Sequence, residues 1–203
     1  MKTNFHFLFA GSVGLALLAG GCASDHSAPA SIVINPPAVD APPAPAVPTA
    51  PVATAPTKAL VFHNGLAVVR VDSEEIAGEN GAAENAIDGN PDTIWHTQWQ
   101  DATPECPHEI VIALESPATL KGFTYLPRQG ENDHGDIKGY EFFTSNDGQN
   151  FGGPVAKGEF DGSKELKTVA FAPTACHFVK LKALSEINNE AWTSAAEIGV
   201  VRQ

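Results

Sequence analysis

The feature that most restricts the fold of this chain is a series of short apolar runs with a period of two, which begins at Leu66. Runs of this kind, separated by Gly, Pro, Asn and Asp, are typical of β-strands that bury one face. Asn146-Asp147-Gly148 is one such separator, because these residue types tolerate the positive φ of a tight reversal. No window has a sustained helical period, although residues 82–87 could form a single turn.

The pattern therefore predicts an all-β fold, a jelly-roll β-sandwich of about eight strands. In the second of these, Ile110, Ile112 and Leu114 share one face. The expected strands cover 66–72, 108–114, 119–127, 137–145, 154–160, 164–171, 177–184 and 195–201.

Residues 1–22 have the composition of an export signal, in which Lys2 precedes an apolar run from Phe5 to Leu18. The run is shorter than the roughly 20 apolar residues that span a membrane. The segment Leu18-Ala19-Gly20-Gly21-Cys22 resembles a bacterial lipoprotein processing site, although its Leu lies one position further from the Cys than usual. The resemblance implies that Cys22 is lipidated and anchors the exported protein in the cell envelope, at the outer membrane or cell surface. The alternative is an ordinary secreted protein with a free Cys22.

Residues 23–57 consist mainly of Ala, Pro, Val and Thr, with almost no charge. Such a segment cannot bury enough apolar surface to order itself, and it favours an extended polyproline II conformation. We expect a disordered stalk here, with a protein-docking Pro motif as the alternative, followed by one folded domain over 58–203.

The whole chain has a net charge of −12, nearly all of it in that domain, and this restricts the domain's partners. Nucleic acids and anionic lipids bind clustered Lys and Arg, so neither is expected as a main partner. The only membrane contact expected is through the N-terminal lipid. Neutral ligands and cations remain, and the sequence leaves the oligomeric state open.

A loop near residue 90 has the composition of a cation site. Asp88, Asn90 and Thr93 offer side-chain oxygens, and Ala86 offers a backbone carbonyl. Calcium binds about six to eight oxygens and tolerates irregular geometry, so the loop predicts a structural Ca²⁺ ion. It is not an EF-hand, because its sixth position is Thr93 rather than Gly. The alternative is an Asx-turn loop whose side chains bond only its own backbone.

Several motifs stand in order along the domain, at 79–97, 107–112, 122–128, 137–141, 145–148, 178–181 and 195–197. The first contains Asn85-Ala86-Ile87-Asp88-Gly89-Asn90-Pro91 and Trp95-His96-Thr97. Together they resemble the discoidin domain, also called the coagulation factor 5/8 type C domain, in the branch of family 32 carbohydrate-binding modules. The resemblance covers roughly residues 66 to 201, implies the same jelly-roll fold, and adds Glu197 to the calcium ligands.

The resemblance also implies a sugar site. Its matching positions are His96, Arg128 and Glu79 for the hydroxyl groups, and Trp99 and Trp192 as aromatic platforms; Asn189 lies in the same late loop as Trp192. The chemistry is suitable, because a pyranose offers a C–H-rich face to a ring and vicinal hydroxyls to a planar guanidinium.

Each of these side chains also has an ordinary structural explanation. Arg128 could pair with Glu131 or Asp133, His96 could be a satisfied loop histidine, and Glu79 could cap the turn at Ala82. Trp95 is expected in the core.

No role is predicted for His108 or His134. Cys106 and Cys176 each stand just before a predicted strand. Export to an oxidising compartment would favour a disulfide between them, and the sequence leaves this open because it does not give their separation.

We interpret the domain as a non-catalytic module that binds galactose-type or related glycans. One alternative is a surface adhesion domain for a protein or a lipid headgroup. Another is a small hydrolase, but a glycosidase needs two carboxylates, and only Glu79 with a residue such as Asp133 is available. The chain has no nucleophile elbow, P-loop or zinc-spaced His/Cys set.

Overall fold

The computed structural model describes Leu60 and residues 63–203, so the export signal, Cys22 and the whole predicted stalk lie outside the described residues. No helix within the described part is long and apolar enough to cross a membrane. The elements are one short 3₁₀ helix, Ala83–Ile87, and the strands β1 Leu66–Val71, β2 Trp95–His96, β3 His108–Leu126, β4 Gly139–Ser145, β5 Ala156–Glu159, β6 Lys167–Ala183, β7 Ser194–Ala195 and β8 Glu197–Arg202.

Strands β3 and β6 run antiparallel along most of their length and organise the fold. The first half of β3 also pairs with β1, and its second half pairs with β8. The second half of β6 pairs with β4, which in turn pairs with β5, so the sheet order is β1-β3-β6-β4-β5. β2 and β7 form a separate two-stranded sheet.

Side chains from both halves of this sheet meet in one core. Phe123, on the second half of β3, stacks on Phe142 of β4 with ring centroids 4.1 Å apart and planes 3° apart. Both rings are fully buried. Trp95 is buried too, and its indole N–H donates to the carbonyl of Ser73 at 2.9 Å, so it belongs to the core as expected.

The all-β prediction is confirmed, but two pairs of predicted strands are each one long strand. The predicted strands 108–114 and 119–127 form β3, and 164–171 and 177–184 form β6. Each junction contains a proline, Pro117 or Pro173, at an exposed position beside a shift in the β3–β6 register. Such irregularities accommodate a residue that cannot donate a ladder hydrogen bond, so the strand continues past it.

The disulfide considered for Cys106 and Cys176 is not formed, and both thiols are free. The reason lies in the β3–β6 register. His108, two residues after Cys106, pairs with Ala183, whereas Cys176 pairs with Ala118 further along the same ladder. Cys106 therefore lies before the His108 end of this ladder, whereas Cys176 lies within it.

Candidate functional site

Loops from four parts of the chain meet around a cavity of about 220 Å³, which we call the first cavity. They are the loop before the 3₁₀ helix, the segment around β2, the β3–β4 connection and the β6–β7 connection. The side chains that line it are those of Glu79, His96, Trp99, Arg128, Asn132, His134 and Trp192. Five of the six predicted ligand residues are thus brought together here.

The carboxylate of Glu75 joins two of these loops. Glu75 is fully buried, and its two oxygens accept four backbone N–H groups at 2.7 to 2.9 Å, those of Ala77, Gly78, Trp99 and Gln100. These bonds, led by that of Trp99, lower the pKa of Glu75 from 4.5 to about 2. We call this arrangement the Glu75 clamp. It fixes the two segments that carry Glu79 and Trp99.

Glu79 and Trp99 are also bonded to each other. The indole N–H of Trp99 donates to Oε1 of Glu79 at 3.0 Å, and that oxygen lies 3.9 Å from Nδ1 of His96. The ring of Trp99 lies so close to Gly78 that a Cβ there would approach it to 2.6 Å. Glu79 does not cap the turn at Ala82, because the 3₁₀ helix begins without a side-chain cap.

His96 is a neutral hydrogen-bond acceptor in this cavity. Its Nδ1 lies 2.7 Å from the carbonyl of Thr97, and because a carbonyl only accepts, Nδ1 carries the proton. Burial lowers the pKa of His96 below 6.5, so the ring is uncharged at neutral pH. Nε2 has no hydrogen-bond partner within the described part of the chain, and it can accept a bond from a ligand hydroxyl.

Arg128 keeps most of its donors free. Its Nη1 donates to the carbonyl of His134 at 3.3 Å, whereas its Nε is buried and has no hydrogen-bond partner. Among the residues that the structure describes, Arg128 forms no ion pair with Glu131 or Asp133, so that explanation of Arg128 is wrong. A buried donor without a partner is costly, so this N–H carries a local energetic penalty, while the remaining guanidinium N–H groups are open to further bonds.

Trp192 lies between two histidines. Its ring centroid is 6.3 Å from that of His96 and 5.2 Å from that of His134, which it meets edge to face. The side chain is half-buried, and its Nε1 is a second buried donor without a partner.

A buried histidine holds the loop that carries Trp192. His108 is fully buried, with Nδ1 2.8 Å from the Asp72 carboxylate and Nε2 2.9 Å from the carbonyl of Ala191. Burial lowers the pKa of His108, but the hydrogen bond to Asp72 and its other bonds outweigh this and raise it above 6.5. A carboxylate and a carbonyl only accept, so the protonated ring can donate from both nitrogens and fix the position just before Trp192.

The sequence interpretation missed His134 and Asn132. Both follow Arg128 within the polar β3–β4 connection, and this proximity is the one signal that could have pointed to them. Nδ1 of His134 lies 2.9 Å from the Glu190 carboxylate. Asn189, in contrast, does not line the cavity: it is exposed, its φ is 59°, and its N–H donates to the carbonyl of Glu186 at 3.1 Å. It is a turn residue.

The predicted cation loop is partly bonded to itself. Asp88 accepts the N–H of Asn90 and the hydroxyl of Thr93, each at 2.8 Å, which are the Asx-turn bonds of the alternative interpretation. Ala86 is fully buried in the 3₁₀ helix that leads into the loop. No cluster of three or more His, Cys, Asp or Glu is found among the described residues, so any cation here would rely on neutral oxygens as well.

Glu197 brings a second carboxylate to this loop. Burial and then the charge of Asp88 raise the pKa of Glu197, and together they outweigh the backbone N–H groups of Gly89 and Asn90, which lower it. The Oε1 atom of Glu197 is buried and has no hydrogen-bond partner. Two carboxylates in contact, one with an unsatisfied oxygen, fit a cation that would bind between them.

The fold and these motifs agree with a known family. A family model described as the F5/8 type C domain matches residues 70–198. The chain belongs to this family. The match begins within β1 and ends within β8, so it includes the whole first cavity and the cation loop.

Two solved structures resemble this F5/8 type C domain over most of their own length. One is a family 32 carbohydrate-binding module from Clostridium perfringens in complex with GalNAc-β-1,3-galactose, with 38% identity, a TM-score of 0.61, and coverage of 68% of this chain and 95% of that chain. The other is the family 32 module of NanJ from the same organism, in complex with galactose, with 28% identity, a TM-score of 0.58, and coverage of 67% and 93%.

A longer relative contains a similar segment. A sialidase from Micromonospora viridifaciens is 37% identical to the F5/8 type C chain over 148 residues. The similar segment covers 72% of this chain, whereas this chain spans 23% of the sialidase.

The Glu75 clamp leads to a prediction about acid stability. Glu75→Gln places an amide N–H₂ against backbone donors, so the variant should unfold at a lower urea concentration than the parent at pH 7. Because the pKa of Glu75 is held at about 2, below its ordinary 4.5, its stabilisation is present above pH 4.5 and is lost as the pH falls toward 2. The difference in urea midpoint between the variant and the parent should therefore decrease as the pH falls from 4.5 toward 2.

The matched control is Glu159→Gln, which changes an exposed glutamate of β5 and should leave urea unfolding unchanged at every pH. Equal midpoints for Glu75→Gln and the parent at pH 7 would contradict the clamp.

Proposed function

We propose that this F5/8 type C domain is a non-catalytic carbohydrate-binding module that binds galactose-type sugars in the first cavity. The observation that carries the proposal is that His96, Arg128 and Trp192 meet at one cavity, where Nε2 of His96 has no hydrogen-bond partner within the described residues. Its similarity to two modules solved with galactose-containing sugars supports the same ligand class.

The donor and acceptor set suits the hydroxyls of a neutral pyranose. The Arg128 guanidinium can donate to two adjacent hydroxyl oxygens, whereas Nε2 of His96 and the free oxygen of Glu79 accept hydroxyl protons. The indole rings of Trp99 and Trp192 offer apolar surface to the C–H groups of the sugar. Trp99 is 39% exposed, so part of its ring is open to a ligand.

The same geometry argues for binding without catalysis. Glu79 is the one carboxylate among the residues that line the first cavity, and it accepts a hydrogen bond from Trp99. Hydrolysis of a glycosidic bond generally requires two carboxyl groups across the bond, one as acid and one as base or nucleophile. The nearby Glu190 is paired with His134 and does not line the cavity.

Affinity for a single sugar should be modest. A hexose has about a dozen heavy atoms, and at roughly 0.3 kcal/mol for each the binding free energy is near 4 kcal/mol, which corresponds to millimolar dissociation. Useful attachment would then come from several copies on one surface or from a multivalent glycan.

We propose in addition that Ca²⁺ stabilises the domain at the loop of Asp88. Asp88, Asn90, Thr93 and Glu197 would hold it with side-chain oxygens, and Ala86 with its carbonyl. The unsatisfied, buried Oε1 of Glu197 supports this choice. The ion would supply no chemistry to the sugar; it would neutralise the two carboxylates and tie the loop to β8.

The third part of the proposal is the anchor. Lipidation of Cys22 would tether the domain to the bacterial cell envelope, and residues 23–57 would act as a stalk. The support is the sequence alone, namely the apolar run and the small residues that precede Cys22.

The sugar site predicts which substitutions abolish binding. His96→Ala and Arg128→Ala should each weaken galactose binding at least tenfold, because each removes a hydrogen bond to a ligand in a partly desolvated cavity. Titration with galactose, followed by NMR chemical shifts, measures such weak affinities. His177→Ala and Arg70→Ala, which lie outside the cavity, are the controls of matched residue type and should bind galactose as the parent does. Undiminished binding by both cavity variants would refute this site.

The cation loop predicts a dependence of stability on calcium. Addition of Ca²⁺ to the EDTA-treated domain should raise Tm by several degrees, because an ion that binds the folded state alone stabilises it. Asp88→Ala and Glu197→Gln should remove this response, whereas Asp101→Ala, at an exposed position outside the loop, should retain it. If thermal unfolding of the parent is the same in EDTA and in excess Ca²⁺, the ion is not bound.

The anchor predicts covalent lipid. Metabolic labelling of expressing bacteria with a palmitate analogue should mark the parent protein in the membrane fraction, and Cys22→Ala should be unmarked, because the thiol that would carry the lipid is missing. An unlabelled parent protein would leave ordinary secretion as the explanation of the export signal.

A further inference from the structure

A second cleft, of about 500 Å³, adjoins the first cavity. The two share Glu79 and Arg128, which line both. The side chains around the second cleft are those of Glu79, Asn80, Pro91, Asp92, Thr93, Ile94, Arg128 and Gln129, together with the backbone at Gly130. One side is therefore the distal part of the cation loop, and the other is the start of the β3–β4 connection.

The sides of this cleft are fixed by hydrogen bonds within the domain. The buried amide of Asn85 donates to the carbonyl of Asn80 at 2.8 Å and to that of Ile94 at 2.9 Å, so it ties two of the lining segments together. On the opposite side, the amide N–H₂ of Gln129 donates to the carbonyls of Pro127 and Lys164, at 2.7 and 3.0 Å. The cleft is thus formed before any ligand binds.

The two volumes indicate a ligand larger than one sugar. Small-molecule sites usually enclose about 300–1,000 Å³. The first cavity, at about 220 Å³, is below this range, whereas the second cleft, at about 500 Å³, lies within it. A ligand confined to the first cavity would leave the larger of two adjoining spaces unused.

Hydrogen bonds, rather than stacking on aromatic rings, would hold a ligand in the second cleft. Its lining includes no aromatic side chain. The side chains of Asn80 and Asp92 are exposed and make no hydrogen bond within the described domain, so both can bond hydroxyls. The carboxylates of Glu79 and Asp92 outnumber the single guanidinium of Arg128, which disfavours a sugar that carries a carboxylate or a sulfate.

We propose that the second cleft binds the next, uncharged sugar unit of an oligosaccharide whose galactose-type unit occupies the first cavity. This inference rests on the proposed function. Glu79 and Arg128 lie at the junction of the two units, and Asn80 and Asp92 bond the hydroxyls of the second. The domain therefore discriminates neutral oligosaccharides from both monosaccharides and sialylated glycans.

The test compares galactose with the neutral disaccharides lactose, N-acetyllactosamine and GalNAc-β-1,3-galactose, titrated against the full domain by NMR. At least one disaccharide should bind about threefold to tenfold more tightly than galactose, as one or two added hydrogen bonds would produce. Sialyllactose, which adds a carboxylate-bearing unit to lactose, should bind no more tightly than lactose.

Two substitutions at exposed positions test whether the tighter binding of disaccharides arises in the second cleft. Asn80→Ala and Asp92→Ala remove side chains that bond nothing in the free domain, so they should fold as the parent does, bind galactose equally well and lose most of the disaccharide advantage. Asp101→Ala, also exposed but away from the cleft, should keep that advantage.

The outcomes distinguish a failure of the second cleft from a failure of the proposed function. If galactose binds the parent and no disaccharide binds more tightly, or if the variants weaken galactose and disaccharide equally, the second cleft is not a sugar subsite although the first cavity is. If sialyllactose binds most tightly, the inference of neutrality is wrong. If galactose and every disaccharide fail to bind, the proposed function itself fails.

Discussion

The antiparallel pairing of β3 with β6 is the constraint on which the rest of this domain depends. It sets His108 opposite Ala183, at the end of β6 from which the connection to Trp192 begins. His108 is hydrogen-bonded to the carbonyl of Ala191, so the strand register helps to set the position of the loop that carries Trp192. The other end of β3 leads within two residues to Arg128. Both long strands thus deliver a side chain to the same cavity.

The sequence predicted most of the fold, because alternating apolar residues and turn residues are local signals. It also placed Glu79, His96 and Arg128 together, through motifs of a family rather than through spacing. It could not find the Glu75 clamp or the Asp72–His108 pair, because the bonded groups lie 24 and 36 residues apart in the chain. It also divided β3 and β6 at prolines that the folded sheet accommodates beside shifts in register.

The proposed cation site and the proposed sugar site share part of one loop. Residues 91–94 of the cation loop form one side of the second cleft, and Glu79 and Arg128 border both cavities. An ion bound at Asp88 and Glu197 would therefore act on the sugar site by limiting the positions that this loop can adopt. Linkage then requires the reverse effect, so a ligand in the cleft would tighten ion binding to the same degree.

The Glu75 clamp has a consequence for the time course of recognition. Because one carboxylate holds the segments of both Glu79 and Trp99 in place, neither has to close over an arriving sugar. Encounter with a sugar at the proposed site would then be limited by diffusion and orientation rather than by loop motion, and its release would need no loop opening. A surface covered with such sites would exchange single sugars rapidly, while many simultaneous contacts would retain a whole glycan. The glycan could therefore change its position on the surface without dissociating from it.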